Sequence, residues 1–479
     1  MGGPSPIPHI SPGKHGDRQM LPLIGREPAV VVGAGIAGLL AARVLAAHHP
    51  EVIVVDRDRL PDRPQRRAGV PQSSHVHALF AKGVETIDAL LPGFSDEVCR
   101  RGGHRIDACN DLAVATPHGW GTRFHSGLGA VSASRPLIEA VIRERVLALP
   151  RVRLLQEHTV DSLVGTPRHV TAVTLRHRTT GRGFDLPTGL VVDATGRGSR
   201  LPAWLEELGC PPVPETVVDA HLRYATRVYQ LDGDAEPRGW RACYSLPFGP
   251  AITRGGVLAP LEGDRWIATL SGVGNDQPSS RAEDFLPFAR TLTTPLIATT
   301  LADAHPLTPV LCSGSTANRR RRLGDVTELP DNLVGVGDSV CALNPVYAQG
   351  MTLAALSARL LDSWLESGLP PRHFHRRLQQ LHEVPWIMAT VADRRFPDTD
   401  GPATPFHHRL MGRYLDRVLA AGTRHPTAQH AFMGLLNLSH GPASLLSPGV
   451  ALRVAMPSLL PRSWSMAAAP AERTVSPSR

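Results

Sequence analysis

The sequence predicts an α/β fold with a parallel-sheet domain, an inserted β-sheet domain and a helical C-terminal region. Apolar four-residue strands flank a helical pattern near the start of the chain, at Ala29–Val32 and Val52–Val55. Short β-like segments dominate residues 205–310, and helical patterns dominate the chain beyond residue 372. Because a single core stops growing near roughly 250–300 residues, a chain of 479 residues is expected to form two or three domains.

The predicted boundaries follow these changes in pattern. Residues 1–27 are polar, rich in proline and without a signal-peptide core, so we expect a disordered extension there. We expect a disordered tail at 461–479. The remaining boundaries are 28–200 and 319–371 for a discontinuous first domain, 201–318 for the β-rich domain, and 372–460 for the helical region.

Individual elements are predicted from periodicity and from glycine and proline positions. A long loop is expected at 60–74, and proline or glycine is expected to break the C-terminal helices at Pro385, Gly422 and Pro448. The main predicted elements are helices at Ala37–Ala47, His75–Leu91, Pro136–Leu147 and Met351–Leu365, and strands at Val152–Leu155, Leu190–Ala194 and Leu333–Val336.

Composition excludes several classes of function. The net charge is +8, but arginine is spread along the chain and only two residues are lysine, so no nucleic-acid partner is expected. The six cysteines are scattered, which argues for reduced thiols in the cytoplasm and against a metal site. The apolar stretch Ala29–Ala47 contains three glycines and Arg43, so we interpret it as a nucleotide-binding turn and not as a membrane span.

The glycine motif Gly33–Gly38 has the form G-x-G-x-x-G and lies between a strand and a helix. Gly33 would permit the tight turn, Gly35 the approach of a pyrophosphate, and Gly38 the packing of helix on strand. The helix N-terminus at Ile36 and Ala37 would face the phosphates. Asp56 ends the next strand and would accept hydrogen bonds from ribose. The pattern therefore predicts a Rossmann-like dinucleotide site.

Two motifs further along the chain select flavin. The segment Asp193–Arg200 resembles the second flavin motif of the aromatic hydroxylases, with Thr195 and Gly196 in its altered core. The segment Gly335–Asp338, followed by Asn344-Pro345 and Gln349-Gly350-Met351, resembles their third motif. The chain thus resembles the FAD-dependent monooxygenases of the p-hydroxybenzoate hydroxylase-like superfamily. The resemblance implies a glutathione-reductase-type FAD-binding domain, with the β-rich domain binding substrate.

The same resemblance implies roles for individual residues. The aspartate, Asp338, would bind the ribityl chain, and Pro345 and Gly350 would lie beside the isoalloxazine. Smaller matches at Arg67-Ala68-Gly69-Val70 and at Ser134-Arg135 place two arginines near the cofactor. The full predicted set for non-covalent FAD is Gly33, Gly35, Ile36, Ala37, Gly38, Asp56, Arg57, Arg67, Arg135, Thr195, Gly196, Gly337, Asp338, Pro345, Gly350 and Met351.

A narrower resemblance concerns the substrate. The stretch from Arg67 to Gly93, the segment Tyr224–Arg227 and the turn Asn344–Tyr347 are similar to the bacterial polyether-type flavin epoxidases of the lasalocid and monensin kind. This implies insertion of one oxygen atom from O2, through a flavin C4a-hydroperoxide, into an alkene of an apolar polyketide- or terpene-like metabolite. No side chain is assigned as catalytic. The electron donor would be NADPH or NADH, directly or through a partner flavin reductase.

Alternative functions share the fold. Hydroxylation of a phenol or indole would use the same intermediate, and a flavin-dependent prenyl reductase would use the same cofactor without O2. A flavin halogenase is disfavoured because the chain lacks a Trp-x-Trp signature and has Lys82 as the only lysine of the predicted folded region. The histidines His75 and His77 are interpreted as cofactor-edge or loop-anchoring residues, since their spacing does not suit a zinc site.

Overall fold

The computed structural model describes residues 27–231 and 239–455. The predicted extension, apart from Glu27, and the predicted tail at 461–479 lie outside the described residues. In chain order the strands are β1 (Ala29–Val32), β2 (Val52–Val55), β3 (Ala78–Leu79), β4 (His104–Asp107), β5 (Leu112–Thr116), β6 (Gly119–Trp120), β7 (Gly129–Ser132), β8 (Val152–Leu155), β9 (His158–Gly165), β10 (Val170–His177), β11 (Gly183–Pro187), β12 (Leu190–Asp193), β13 (Glu215–Val218), β14 (Leu222–Gln230), β15 (Ala242–Ser245), β16 (Arg254–Leu261), β17 (Arg265–Val273), β18 (His305–Pro306), β19 (Leu311–Ser313), β20 (Asn318–Arg321), β21 (Leu333–Gly335) and β22 (Cys341–Ala342).

The helices lie mainly in the first third and the last third of the described chain. They are α1 (Ile36–His48), α2 (Ala81–Leu90), α3 (Phe94–Arg100), α4 (Arg135–Leu147), α5 (Leu201–Glu207), α6 (Ala282–Ala289), α7 (Leu296–Leu301), α8 (Gly350–Ser367), α9 (Pro371–Asp393), α10 (Phe406–Gly422), α11 (Pro426–Leu436) and α12 (Pro448–Ala455). None of the helices in the described ranges is both long enough and apolar enough to span a bilayer.

A five-stranded parallel sheet confirms the predicted α/β class. Its order is β21-β12-β1-β2-β8, and every neighbouring pair runs parallel. Strands β1, β2 and β12 are buried throughout, as expected for a parallel sheet covered on both faces. Helix α1 packs against α8 and α4. The glycine motif, Asp56, Ala194 and Asp338 all lie just beyond the carboxyl ends of these strands, which is the usual ligand edge of such a sheet.

A second, mostly antiparallel sheet stands beside the first. Its order is β18-β14-β17-β16-β15-β5-β6, with β19 also paired to β14. Strands β5 and β6 come from residues 112–120, which the sequence prediction grouped with the first domain, and β5 joins the sheet through a parallel pairing with β15. One face of this sheet packs on α6 and α7 through a core that includes Phe285, Ile297 and Leu301. Smaller three-stranded sheets are β11-β10-β9, β13-β20-β22 and β3-β7-β4.

Two predicted elements are wrong. The helix expected from His75 begins only at Ala81, after a 3-10 turn at Pro71–Ser74 and the short strand β3. A tertiary hydrogen bond from the ring of His75 to Thr226 holds His75 out of the helix, and the N–H of Ala81, where the helix begins, donates to Asn437.

The predicted break at Pro385 is also wrong, since α9 continues through it to Asp393. A proline inside a helix costs about 3 kcal/mol through a lost hydrogen bond and a steric conflict. Buried residues hold the helix on both sides of the proline, Phe374 and Leu378 before it and Trp386 and Ala389 after it. Their packing offsets that local cost.

Candidate functional site

A cavity of about 1300 Å³ lies between the ligand edge of the parallel sheet, the large antiparallel sheet and the C-terminal helices. Fourteen of the sixteen predicted FAD-binding residues line it, all except Gly38 and Gly337. We call the part lined by Gly33, Gly35, Ile36, Ala37, Asp56 and Arg67 the nucleotide end. We call the part lined by β15, β16, α9 and α11 the apolar end.

The glycine motif forms an open backbone cradle at the nucleotide end. Gly33 has a φ of 103°, and a Cβ there would lie 2.6 Å from the carbonyl oxygen of Ala194. A Cβ on Gly35 would meet no atom within 4 Å, although Gly35 lines the cavity. Helix α1 starts directly after it, without a side-chain cap, so its N-terminal N–H groups are available for an anion. This geometry fits a pyrophosphate.

The two glycines that do not line the cavity bring the motifs together. A Cβ on Gly38 would lie 1.8 Å from the carbonyl oxygen of Gly33, so only glycine lets α1 pack this closely on the turn. Gly337 has a φ of 62°, and a Cβ there would lie 2.8 Å from the Cβ of Ala37. The first and third motifs, about 300 residues apart in sequence, are therefore in contact.

Asp56, the predicted ribose-binding residue, takes part in a network of hydrogen bonds and ion pairs. Its carboxylate accepts hydrogen bonds from the N–H groups of Ala34 (2.7 Å) and Asp58 (2.8 Å) and is ion-paired with Arg67 (3.2 Å). Arg67 is also paired with Asp58 and Glu139. Although burial opposes its charge, the neighbouring carboxylates raise the pKa of Arg67. Arg67 thus holds the loop and Asp56 in place at the edge of the cavity.

The second motif contains one buried aspartate, which has a structural role, and two residues that line the cavity. Asp193 is fully buried and accepts hydrogen bonds from the hydroxyls of Thr195 (2.6 Å) and Ser199 (2.5 Å). Burial raises the pKa of this carboxyl. Thr195 and Gly196 line the cavity, as does Arg197, which donates to the carbonyls of Ala317 and Leu343. Arg197 was not among the predicted site residues, because the motif gives no signal for its long-range contacts.

Asp338 is the clearest candidate for a cofactor contact. It lines the cavity, and no hydrogen bond to its carboxylate is formed by the residues that the structure describes. Burial raises its pKa, against the influence of Arg197 and Arg135. A carboxylate in such a position is costly without a donor, and the hydroxyls of a ribityl chain would supply donors. Nearby, Pro345 and Gly350 are exposed in the cavity, where α8 begins.

The structure shows the positions of two predicted arginines, Arg135 and Arg57, and of the histidines His75 and His77. Arg135 lies at the start of α4, whose N-cap Ser134 accepts from the N–H of Leu137, and its guanidinium contacts Glu139. The ring of His75 hydrogen bonds to Thr226 (2.8 Å), and the ring of His77 to the carbonyl of His75 (2.9 Å). These contacts connect the loop to the large sheet. Arg57 lines the cavity at its exposed rim.

The apolar end is walled by the large sheet and the C-terminal helices. Its lining includes Val114, Leu246, Phe248, Val257, Met388, Val391, Phe396, Leu419 and Phe432. Among the aromatic residues of this part of the chain, Phe248 lines the cavity, whereas Trp120, Phe124 and Trp386 do not.

Polar side chains interrupt this apolar wall, among them the ion pair of Arg395 with Asp416 and a cluster whose centre no sequence motif marks. The carboxylate of Asp393, which is 1% exposed, accepts from the hydroxyl of Tyr347 (2.6 Å) and the amide of Asn318 (2.6 Å), with Asn344 at 3.3 Å. Burial raises the pKa of Asp393 to about 6 in spite of these donors. Tyr244, Tyr347 and Asp393 all line the cavity.

Comparisons with known proteins agree with this geometry. No protein-family model matches the chain. Protein Rv3254 of Mycobacterium tuberculosis is 30% identical over 430 residues, which cover 86% of this chain and 90% of that protein. A kynurenine 3-monooxygenase of Salinispora tropica is 26% identical over 361 residues, 71% of this chain and 73% of the relative.

Among solved structures, a triple mutant of the flavin-dependent brominase Bmp2 superposes with a TM-score of 0.63 at 12% identity, over 89% of this chain and 99% of that one. This likeness concerns the fold alone. The sequence relatives show that the chain belongs to the family of Protein Rv3254, and the kynurenine 3-monooxygenase relative agrees with the wider class of FAD-dependent monooxygenases.

Proposed function

We propose that this protein is a monooxygenase that binds FAD non-covalently and inserts one oxygen atom from O2 into a bulky apolar substrate. The observation that carries the proposal is a single cavity that joins an anion cradle and an unpaired carboxylate to a large apolar chamber. FAD would supply the redox chemistry, taking two electrons from NADPH or NADH, directly or through a partner reductase, for the reduction of O2. The reaction would take place in the cytoplasm.

The residues of the nucleotide end would bind and orient the cofactor. Backbone N–H groups after Gly35 would hold the pyrophosphate, and Asp56 would accept from the ribose beside Arg67. Asp338 would accept from the ribityl hydroxyls. The N-terminus of α8 at Gly350 would face the pyrimidine edge of the flavin, where its partial positive charge stabilises negative charge. The remaining predicted contacts would be made by Arg57, Arg135, Thr195, Gly196, Pro345 and Met351.

The residues of the apolar end would exclude water and hold the substrate. Apolar side chains from β15, β16, α9 and α11 line the chamber. A closed, dry chamber protects a reactive oxygen species from hydrolysis and fixes the distance to the target carbon. An alkene needs no side-chain nucleophile or base for this reaction. The chamber and the sequence resemblance to polyether-type epoxidases therefore support epoxidation of a polyketide- or terpene-like alkene.

Aromatic hydroxylation is the second candidate. It is favoured by the polar cluster of Tyr347 and Asp393, which could contact a ring substituent, and by the relative named kynurenine 3-monooxygenase. A prenyl reductase would share the chamber but would form product without O2.

The cofactor proposal is tested on the purified protein. We expect a yellow protein from which acid releases a flavin that co-elutes with FAD. Release of FMN, or a colourless protein that remains folded and active, would contradict the proposal.

The reaction is tested with a panel of polyenes, phenols and indoles, supplied with NADPH or NADH and, in a second series, with a flavin reductase. Epoxides from the polyenes support the first candidate. Hydroxylated aromatics with untouched polyenes support the second, and product formed in the absence of O2 would exclude both.

A further inference from the structure

The polar cluster in the apolar end has a buried carboxylate at its centre. It consists of Asp393, Tyr347 and Tyr244, supported by Asn318 and Asn344, and we call it the Asp393 cluster. The side chain of Asn318 connects the parts of the cluster. Its Oδ1 accepts from the backbone N–H of Asn344 (2.8 Å), and its Nδ2 donates to the carboxylate of Asp393. Burying a carboxylate among apolar residues is costly even when it is hydrogen-bonded.

The hydrogen bonds determine what the cluster can offer to a ligand. Tyr347 donates its only hydroxyl proton to Asp393, so the lone pairs of its oxygen remain for an incoming donor. Burial and the nearby carboxyl of Asp393 raise the pKa of Tyr347 well above its usual value, so this hydroxyl stays protonated. Tyr347 therefore presents an acceptor, and a ligand that carries an O–H or N–H donor complements it.

The position of the cluster points to the substrate. Tyr347 lies two residues after Pro345 and three before Gly350, the residues expected beside the isoalloxazine. The lining side chains around Asp393 include the apolar Met388 and Phe396, next to Arg395, which is ion-paired with Asp416. A donor group held by Tyr347 would thus fix the orientation of an otherwise apolar molecule next to the reacting end of the cofactor.

We propose that the Asp393 cluster is a substrate-binding subsite that recognises one hydroxyl or N–H group on an otherwise apolar substrate. Tyr347 makes the contact, and Asp393 is a positioning residue that acts through Tyr347. The proposal rests on the proposed function, because it names a feature of the substrate in the same cavity.

The subsite has a defined dependence on pH. The pKa of Asp393 is raised to about 6, and the groups that face the pair are Tyr244, Asp219, Arg394 and Arg395. Above that pH the carboxylate accepts the proton of Tyr347. Below it the neutral carboxyl can donate to the oxygen of Tyr347 and occupy its acceptor site. Preference for a donor-bearing ligand is therefore expected to fall as the pH drops through about 6.

The test compares two probes, 1-naphthol and 1-methoxynaphthalene, which differ by one methyl group on the oxygen. Their dissociation constants are measured on the full-length protein with its flavin, by fluorescence quenching. At about pH 8 we expect 1-naphthol to bind at least about tenfold more tightly than its methyl ether. This factor is typical of a hydrogen bond to a group that is itself bonded to a carboxylate. At about pH 5 that ratio is expected to shrink, because Asp393 is then protonated.

Variants distinguish a specific contact with Tyr347 from nonspecific packing of the probes in the chamber. Tyr347→Phe is expected to bring the ratio near one while the affinity for the methyl ether and the bound FAD remain unchanged. Asp393→Asn is expected to give a ratio that does not vary with pH. Tyr414→Phe is the matched control, since its hydroxyl donates to the carbonyl of Leu445 and it does not line the cavity. This variant should behave like the wild type.

Equal binding of the two probes by the wild type would overturn the inference. So would a ratio and a pH response that survive Tyr347→Phe, and this variant decides the matter if Asp393→Asn does not fold. Either result leaves the oxygenation assays unaffected. A preserved ratio in a protein that oxygenates none of the panel substrates would instead support the subsite and contradict the proposed function.

Discussion

The two ends of the cavity are built in different ways. The nucleotide end is made largely of backbone, from short motifs at the carboxyl ends of β1, β2, β12 and β21. The apolar end is made of side chains from β-strands and helices that are far apart in sequence. The comparison teaches that one end is set by local spacing, whereas the other depends on how distant elements pack. Substitutions should therefore affect one end without the other.

The largest expected effect is at the cradle. Gly35→Val should abolish detectable FAD binding, because the added side chain points into the space assigned to the pyrophosphate. The fold should survive, since a Cβ at this position meets no protein atom within 4 Å. Flavin content and thermal unfolding of the apoprotein measure both effects. Gly129→Val is the matched control, because it also has open space around its Cβ but lies outside the cavity.

A smaller effect is expected at the ribityl position. Asp338→Ala should weaken FAD binding roughly 5- to 150-fold, because a buried hydrogen-bonding partner contributes about 1–3 kcal/mol. Asp338→Asn should lose less, as its amide oxygen can still accept a hydrogen bond. The measurement is titration of apoprotein with FAD. Unchanged affinity in the alanine variant would show that the third motif does not hold the ribityl chain.

The smallest effect on FAD affinity is expected from a substitution at the apolar end. Val257 lines the chamber from β16, and Val257→Phe should lower the affinity for 1-methoxynaphthalene by about tenfold, within the usual cost of overpacking. Its affinity for FAD should stay at the wild-type value. Parallel titrations with probe and with FAD check this. A variant that loses both ligands together would break the distinction between the two ends.

Sequence predicted the glycine turn of the nucleotide end because its geometry is local, and the binding of FAD there stays a prediction. Gly33, Gly35 and Gly38 follow a strand and open a helix, and each of the three positions has the steric environment that its role requires. Even there the network of Arg67 with Asp56 and Glu139 was not predictable. It joins residues 11 and 72 positions apart, through contacts that no spacing rule gives.

The apolar end could be predicted only in outline. The β-rich segment was expected to bind substrate, but Asp393 carries no motif around it. Its partners Asn318 and Tyr347 lie 75 and 46 residues away. Packing also overrode local signals at Pro385, where the helix continues, and at His75, where a tertiary hydrogen bond replaces the first residues of the expected helix.

The central claim is that this cavity brings a flavin and an apolar substrate together for oxygen transfer. The most direct test is turnover under isotopically labelled O2, with mass spectrometry of the product. The account predicts one labelled oxygen atom in each product molecule and no label when the Gly35→Val protein replaces the wild type. A product that forms without label, or an oxygen atom derived from water, would contradict it.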